Sequence, residues 1–420
     1  MTRPGPTHAG SAAGSWSSVP ARIPALDGIR GLAIGLVMLH HFFQSHAPEP
    51  VTLDRLAFGL AGSGWSGVDL FFVLSGFLIT GLLSDSKGRP HYFRNFYGRR
   101  TLRIFPLYYA VLLVIYVGLP AVPHPLPAAY VADSADDQLW FWTYLSNFRI
   151  AERGQFYQTF VPSILWSLAI EEQFYLVWPV VVLLCSARTL VIVCLGLLAT
   201  APVIRAVLAL WEFEPIVSFV STVARMDSLA LGALLALLAR TEAGLDRAHR
   251  WGRRLAPPSL GVLVWLALPH ATLEWKDPWT STVGFSLVAL LSGALLVTAL
   301  RGEPDGWVRR VFEAGAMRTL GKYSYALYLL HGPAGTAVKY LYDWDSVPLL
   351  MGAALPRTLL FSLVAALVSL FLAWLSWHLL ERHFLALQSL FRTPEPGGRP
   401  HRTHAPRRAV RTERRRDPQT

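Results

Sequence analysis

Apolar stretches of roughly 17–25 residues, the length that crosses a bilayer as a helix, recur along this chain. They lie near 26–46, 65–84, 104–121, 164–186, 189–210, 216–239, 256–270, 282–300, 323–342 and 351–380. The seventh is short, and the aromatic segment WFWTYLSNF at 140–148 suits a re-entrant piece. The pattern predicts an all-α, polytopic membrane protein of about ten transmembrane helices. An even number of spans puts both termini on one side.

The polar loops between these stretches set the orientation. If the N-terminus is cytosolic, loops 85–103, 240–254 and 301–322 face the cytosol and hold 6, 5 and 5 Lys/Arg. The opposite loops together hold only Arg55, Arg149, Arg153 and Lys276 as basic residues, against twelve acids. Basic residues favour the cytosolic side, so the expectation is N-in and C-in.

Composition agrees with this. The chain of 420 residues is 53% hydrophobic and 15% charged, where soluble domains carry about 25% charge. Cys185 and Cys194 both lie in apolar runs, which excludes a disulfide framework or a cysteine metal site. The net charge of +11 is carried by short loops and by the tail, so a nucleic-acid partner is not expected. Residues 1–21 are expected to form a disordered cytosolic N-terminus, 22–385 the membrane domain, and 386–420 an Arg-rich disordered cytosolic tail drawn to anionic headgroups.

Ionisable residues inside spans are expensive and are functional candidates by default. The first span contains Asp27, Arg30, His40 and His41. Eleven helical steps bring His41 back to within about 20° of the Arg30 face, about 16 Å along the axis. His40 points about 80° away from that stripe. An Arg and a His three turns apart suit a phosphate-bearing cytosolic ligand whose reactive end reaches toward an imidazole; Asp27 reads as an N-cap. The second span offers Asp69, either a structural pairing or a site residue. Arg100 and Arg103 are helical neighbours at the cytosolic start of the third span, followed by Pro106, a bend, and Tyr108. Arginine forks suit phosphate. In the fourth span Glu171 and Glu172 fall about two turns below the outer surface, with Tyr175 on the face of Glu171. Asp227 and His331 fall near mid-span, each a site candidate or a satisfied structural group.

Taken in order, LDGIRGLAIGLVMLHHF, GVDLFFVLSGFLIT, RRTLRIFPLYY, WSLAIEEQFYLVWP, RMDSLALGALLA and YSYALYLLHGP resemble the integral-membrane acyltransferase-3 family. That family acylates sugars, lipopolysaccharide, peptidoglycan and macrolides, and the resemblance covers roughly residues 22–385. It implies a ten-helix domain with essential His41 and Arg30, RxxR arginines that handle acyl-CoA, and O-acylation of a carbohydrate or carbohydrate-bearing product. The chain departs from the family where SWHLLERHF puts His383 in place of a proline, which leaves the role of Glu381 open. An Arg-rich tail, rather than an esterase-like domain, favours a single-domain glycan, lipid or antibiotic modifier.

The expected enzyme is a multi-pass protein of the bacterial inner membrane. It would transfer an acyl group from acyl-CoA, acetyl-CoA foremost, to a hydroxyl, without a metal. His41 would serve as general base. Asp69 or Glu171 would orient its ring as in a Ser-His-Asp arrangement. Arg30, Arg100 and Arg103 would bind CoA phosphates, with Tyr108 beside them; Glu172, Tyr175, Asp227 and His331 complete the candidates. The alternative is a transporter or flippase, which would lead one to expect inverted repeats with broken helices. The sequence shows none.

The charge asymmetry predicts that reporter fusions at residue 95, 245 or 310 lie in the cytosol, and fusions near 130 and 275 outside. An external signal from the fusion at 95 would invert the whole assignment.

Overall fold

The computed structural model describes residues 23–46, 51–123, 131–158, 160–301 and 306–391. The expected N-terminal segment 1–21 and most of the expected tail, from 392 on, lie outside the described residues. Among the described residues ten helices of 17 to 27 residues form the body. They are α1 (Pro24–Phe43), α2 (Gly67–Ser86), α3 (Tyr92–Leu113), α4 (Phe160–Leu184) and α5 (Ala187–Leu210). After them come α6 (Thr222–Leu238), α7 (Glu242–Ala267), α8 (Phe285–Arg301), α9 (Gly315–Leu341) and α10 (Leu355–Ser376). No β-strand occurs among the described residues.

Eight helical segments are long and apolar enough to cross a membrane. The two long helices outside that set are α7, which opens with Arg247, Arg250, Arg253 and Arg254, and α9, which carries Arg318, Lys322, His331 and Lys339. The exposed apolar surface is what a lipid-facing helix needs. Ile192, Leu195, Val203 and Leu210 on α5 are exposed, as are Leu359, Leu363, Leu367 and Phe371 on α10. A soluble monomer rarely leaves such patches bare.

Two features differ from the sequence expectation. Arg100 and Arg103, expected on a short basic helix set off from the third span by a bend at Pro106, lie inside the continuous helix α3, with Pro106 within it. The chain beyond α10 continues as helix to Phe391 and tucks against the start of α3, where Arg99 donates to the Phe391 carbonyl at 2.8 Å. The segment at 140–148 folds into parts of two short helices, Gln138–Trp142 and Ser146–Arg153. Asp137 fastens them by accepting from Arg149 at 2.8 Å, Arg153 at 3.2 Å and the Tyr157 hydroxyl at 2.8 Å.

Helix α1 is packed against α9 with backbone nearly touching backbone. A Cβ on Gly321 would lie 1.7 Å from the Asp27 carbonyl oxygen, and one on Gly31 would lie 2.2 Å from that of Met317. Small residues of this kind are how membrane helices gain close van der Waals contact where lipid removes the hydrophobic drive. Gly321→Ala should therefore force α1 and α9 apart and destabilise the protein by about 1–3 kcal/mol. Gly315→Ala, on the same helix with open space around it, is the matched control. Thermal unfolding in detergent should show a lower Tm for the first and no change for the second; equal stability of both would mean that this contact does not hold the helices.

Candidate active site

The α1–α9 contact brings two imidazoles together. His41 Nδ1 lies 2.9 Å from the Val37 carbonyl one turn earlier, so this nitrogen carries the proton and donates. His331 Nδ1 lies 2.8 Å from the Leu327 carbonyl in the same manner, which leaves its Nε2 bare. That Nε2 sits 3.2 Å from His41 Nδ1 and takes a share of the same N–H. The hydrogen-bond network thus leaves His41 Nε2 with a free lone pair. Phe160, the first residue of α4, closes against both rings, at 4.8 Å and 5.1 Å between centroids.

His41 opens into a cavity walled by Trp65, Trp166, Trp275, Phe156, Phe219 and Tyr328, among others. His40 reaches the same cavity, although the helical arithmetic turned it away from the Arg30 stripe. Its Nε2 is 3.0 Å from Gln44 Nε2.

The other end of α1 faces a second cavity. Arg30, Arg100 and Arg103 all line it, together with Glu171, Tyr175, Ser75 and Tyr325. Arg30 is steadied by Asp27 at 2.9 Å; Asp27 lies in the first helical turn, with Ile23 as the N-cap. The Arg100 guanidinium sits 4.6 Å above the Tyr175 ring, a cation–π distance. The Tyr175 hydroxyl is hydrogen-bonded to Ser75. No Asp or Glu forms an ion pair with Arg100 or Arg103 among the described residues, and Arg103 is exposed to the cavity. Glu171 shares the cavity without an ion pair to them, and guanidinium groups beside one another are a fit for a polyanion such as a phosphate chain.

Val68 and Tyr328 line both cavities, so they stand where the two meet. Tyr328 is fixed there by Ser167 Oγ at 2.6 Å and by donating to the Ile164 carbonyl at 3.1 Å.

Glu171 belongs to the arginine cavity and not to the His41 level where span counting put it. The reason is arithmetic. Helix α4 begins at Phe160, four residues before the apolar stretch at 164, and Phe160 is level with His41. Eleven residues on, about 16 Å down the bundle, Glu171 reaches the depth that Arg30 has eleven residues before His41.

Asp69 is also away from His41. It pairs with Arg225 at 2.7 Å and accepts from Ser228 Oγ at 2.7 Å, and both Asp69 and Arg225 are fully buried. The partner that touches the His41 ring is His331, in place of the expected carboxylate. Asp227 pairs with Arg205 at 2.9 Å and accepts from Ser286 Oγ at 2.6 Å, tying α5, α6 and α8. Tyr108 donates to the Phe141 carbonyl at 2.7 Å and stacks on Tyr144 at 4.1 Å, away from the arginine cavity. Glu172 lines neither cavity, and its Oε1 is buried without a hydrogen-bond partner. Among the described residues no three His, Cys, Asp or Glu side chains form a metal-holding group.

Sequence reasoning missed Arg205 and Arg225, the cations that hold Asp227 and Asp69. Their sign was available, since an Arg inside an apolar span needs a carboxylate. Phe160 and Tyr328 were also missed, and as aromatics in apolar runs they carried no signal.

Comparison with known proteins adds three findings. A family model of the acyltransferase-3 type, described as an acyltransferase domain, matches residues 23–378. The peptidoglycan O-acetyltransferase of Listeria monocytogenes is 28% identical over 326 residues, 74% of this chain and 49% of that protein. The putative peptidoglycan O-acetyltransferase of Bacillus subtilis is 28% identical over 74% of this chain and 48% of its own length. A putative O-acetyltransferase of Staphylococcus aureus is 28% identical over 78% and 53%. The chain therefore spans about half the length of these relatives. No solved structure matches it.

The Asp69–Arg225 pair generates a stability prediction. Asp69→Ala leaves Arg225 buried without its counter-ion and should destabilise the protein by about 3–5 kcal/mol. Asp69→Leu combined with Arg225→Met should recover most of that loss, because an apolar pair removes both desolvation costs. Thermal unfolding of the three proteins tests this; a double variant no better than Asp69→Ala would mean that the pair is not a structural clamp.

Proposed function

The chain belongs to the acyltransferase family whose model spans residues 23–378, and from that premise we propose that it is a membrane O-acyltransferase acting on a carbohydrate-bearing acceptor. The observation that supports this best is the placement of His41, with its free Nε2 in one cavity, on the same helix as Arg30 in the other. The donor in this proposal is acyl-CoA, with the arginines of the α1–α3 cavity on its phosphates and its thioester directed toward Tyr328. The acceptor enters the aromatic cavity, where flat ring faces suit the C–H faces of a sugar. Cell-envelope glycan is the favoured acceptor, because the relatives are named for peptidoglycan O-acetylation. The protein would work in the bacterial inner membrane, with the arginine cavity toward the cytosol.

The chemistry follows from the imidazole pair. His41 Nε2 takes the proton of an acceptor hydroxyl as the oxygen attacks the thioester carbonyl. The C–O bond forms, the C–S bond breaks, and the proton passes from His41 to the departing thiolate. His331 keeps the Nδ1–H of His41 pointing away from the acceptor and so fixes the productive tautomer.

Base-labile acetate released from the envelope of expressing cells measures the reaction. His41→Ala and His41→Gln should each lower it by about 10²–10⁴-fold, the range for removing a general base, while the protein still accumulates in the membrane. His40→Ala should keep most of the activity. An active His41→Gln enzyme would exclude the general-base role.

A further inference from the structure

The four basic residues of the outer-side loops divide into two kinds. Arg149 and Arg153 are neutralised by Asp137, with Glu152 also on Arg149. Arg55 and Lys276 have no carboxylate partner among the described residues, and both are exposed. Other cations at this end are spoken for: Lys339 donates to the Ser45 carbonyl at 3.3 Å and Arg357 pairs with Asp345 at 3.3 Å. These two cations are not scattered, and Lys276 Nζ lies 5.4 Å from the centroid of the Trp275 ring. Lys276 lines the His41 cavity, and Arg55 lines a side chamber that shares His40, Gln44, Glu274 and Trp275 with it.

The side chamber brings further polar side chains to the aromatic main cavity. It adds His270 and Thr272 to Arg55 and the shared wall. His40 presents a buried Nδ1 with no hydrogen-bond partner at that wall. Among the described residues Glu274 is the one acid lining the two chambers, and its Oε1 accepts the Lys276 backbone N–H at 3.3 Å instead of pairing with a cation. A neutral sugar would need hydroxyl partners here, which Gln44, Glu274 and Thr272 supply. It would not need two positive charges without carboxylate partners beside Trp275.

We propose that the acceptor is an anionic glycan, its ring against Trp275 near His41 and its carboxylate or phosphate between Arg55 and Lys276. This rests on the acyltransferase proposal for the use of the cavity, but binding can be read without transfer. Lys276 offers a point charge and Arg55 a planar fork that fits either a carboxylate or a phosphate, so together they select an anion rather than one kind of it. Their exposure keeps each contribution modest and sensitive to salt.

The test uses the purified full chain in phosphatidylcholine nanodiscs at low salt, with intrinsic tryptophan fluorescence as the readout. Methyl glucuronide, glucose 1-phosphate and methyl glucoside are titrated separately. One or both charged sugars should bind about fivefold tighter than the neutral one, and the preference should vanish at about 1 M salt. Preference for the glucuronide alone would identify a carboxylate, and for the glucose 1-phosphate alone a phosphate. Arg55→Gln with Lys276→Gln should abolish the preference without changing affinity for the neutral sugar, and Arg55→Lys should retain it. Equal binding of all three sugars, no binding of any, or a preference that survives the double variant would overturn the proposal. Loss of acyl transfer with the preference intact would count against the catalytic reading alone.

Discussion

The close contact of α1 with α9 is the constraint on which the rest depends. Gly31 and Gly321 let two backbones approach to a distance that any Cβ would forbid. Only at that separation can two helical histidines, each tied to its own preceding turn, reach 3.2 Å across the interface. The same contact carries Ser324, Tyr325 and Tyr328 of α9 to the wall of the arginine cavity beside Arg30. A side chain in the seam would separate the imidazoles and open both cavities at once.

Buried polarity in the bundle sorts by partner. Asp69 with Arg225 and Asp227 with Arg205 are fully buried, hydrogen-bonded further, and anchor α2, α5, α6 and α8 to one another. Arg225 is also surrounded by aromatic faces, with Phe285 at 4.2 Å and Phe219 at 5.2 Å. Pairs of this kind cost desolvation that close geometry must offset, and breaking one exposes the full penalty. Arg100 and Arg103, by contrast, have no ion pair among the described residues and open to a cavity, where water or a ligand can solvate them. Glu172, buried with an unpartnered Oε1 and lining neither cavity, belongs to neither group.

That sorting explains what was legible in the sequence. The Arg30–His41 stripe survives because α1 is a regular helix throughout, so counting residues is the same as measuring it. The RxxR spacing survives for the same reason, even though the helix containing it starts earlier than apolarity suggests. Glu171 was misplaced in depth because hydropathy marks where lipid contact begins, and α4 starts four residues sooner, inside protein, at Phe160. Asp69 looked like a catalytic carboxylate because its partner Arg225 lies 156 residues away, a distance over which no periodicity informs. The aromatic cavity was invisible for another reason: Trp166, Phe219 and Trp275 come from three separate segments, and each alone is an ordinary apolar residue.

The His41–His331 pair differs from a carboxylate–imidazole pair in a way that bears on the chemistry. A carboxylate would attract the imidazolium and raise the basicity of the ring. A neutral imidazole accepts the Nδ1–H and fixes its direction but supplies no counter-charge, so the protonated state of His41 is left poorly stabilised. In a bundle wall shared with Phe42 and Phe160, that would be an advantage for the proposed base, which must release its proton again. A strongly stabilised imidazolium would hold on to it, whereas a transient one returns it to the leaving group within the same encounter. Orientation without charge is what the proposed proton shuttle would need, and His331, tied to the Leu327 carbonyl, is placed to supply that orientation.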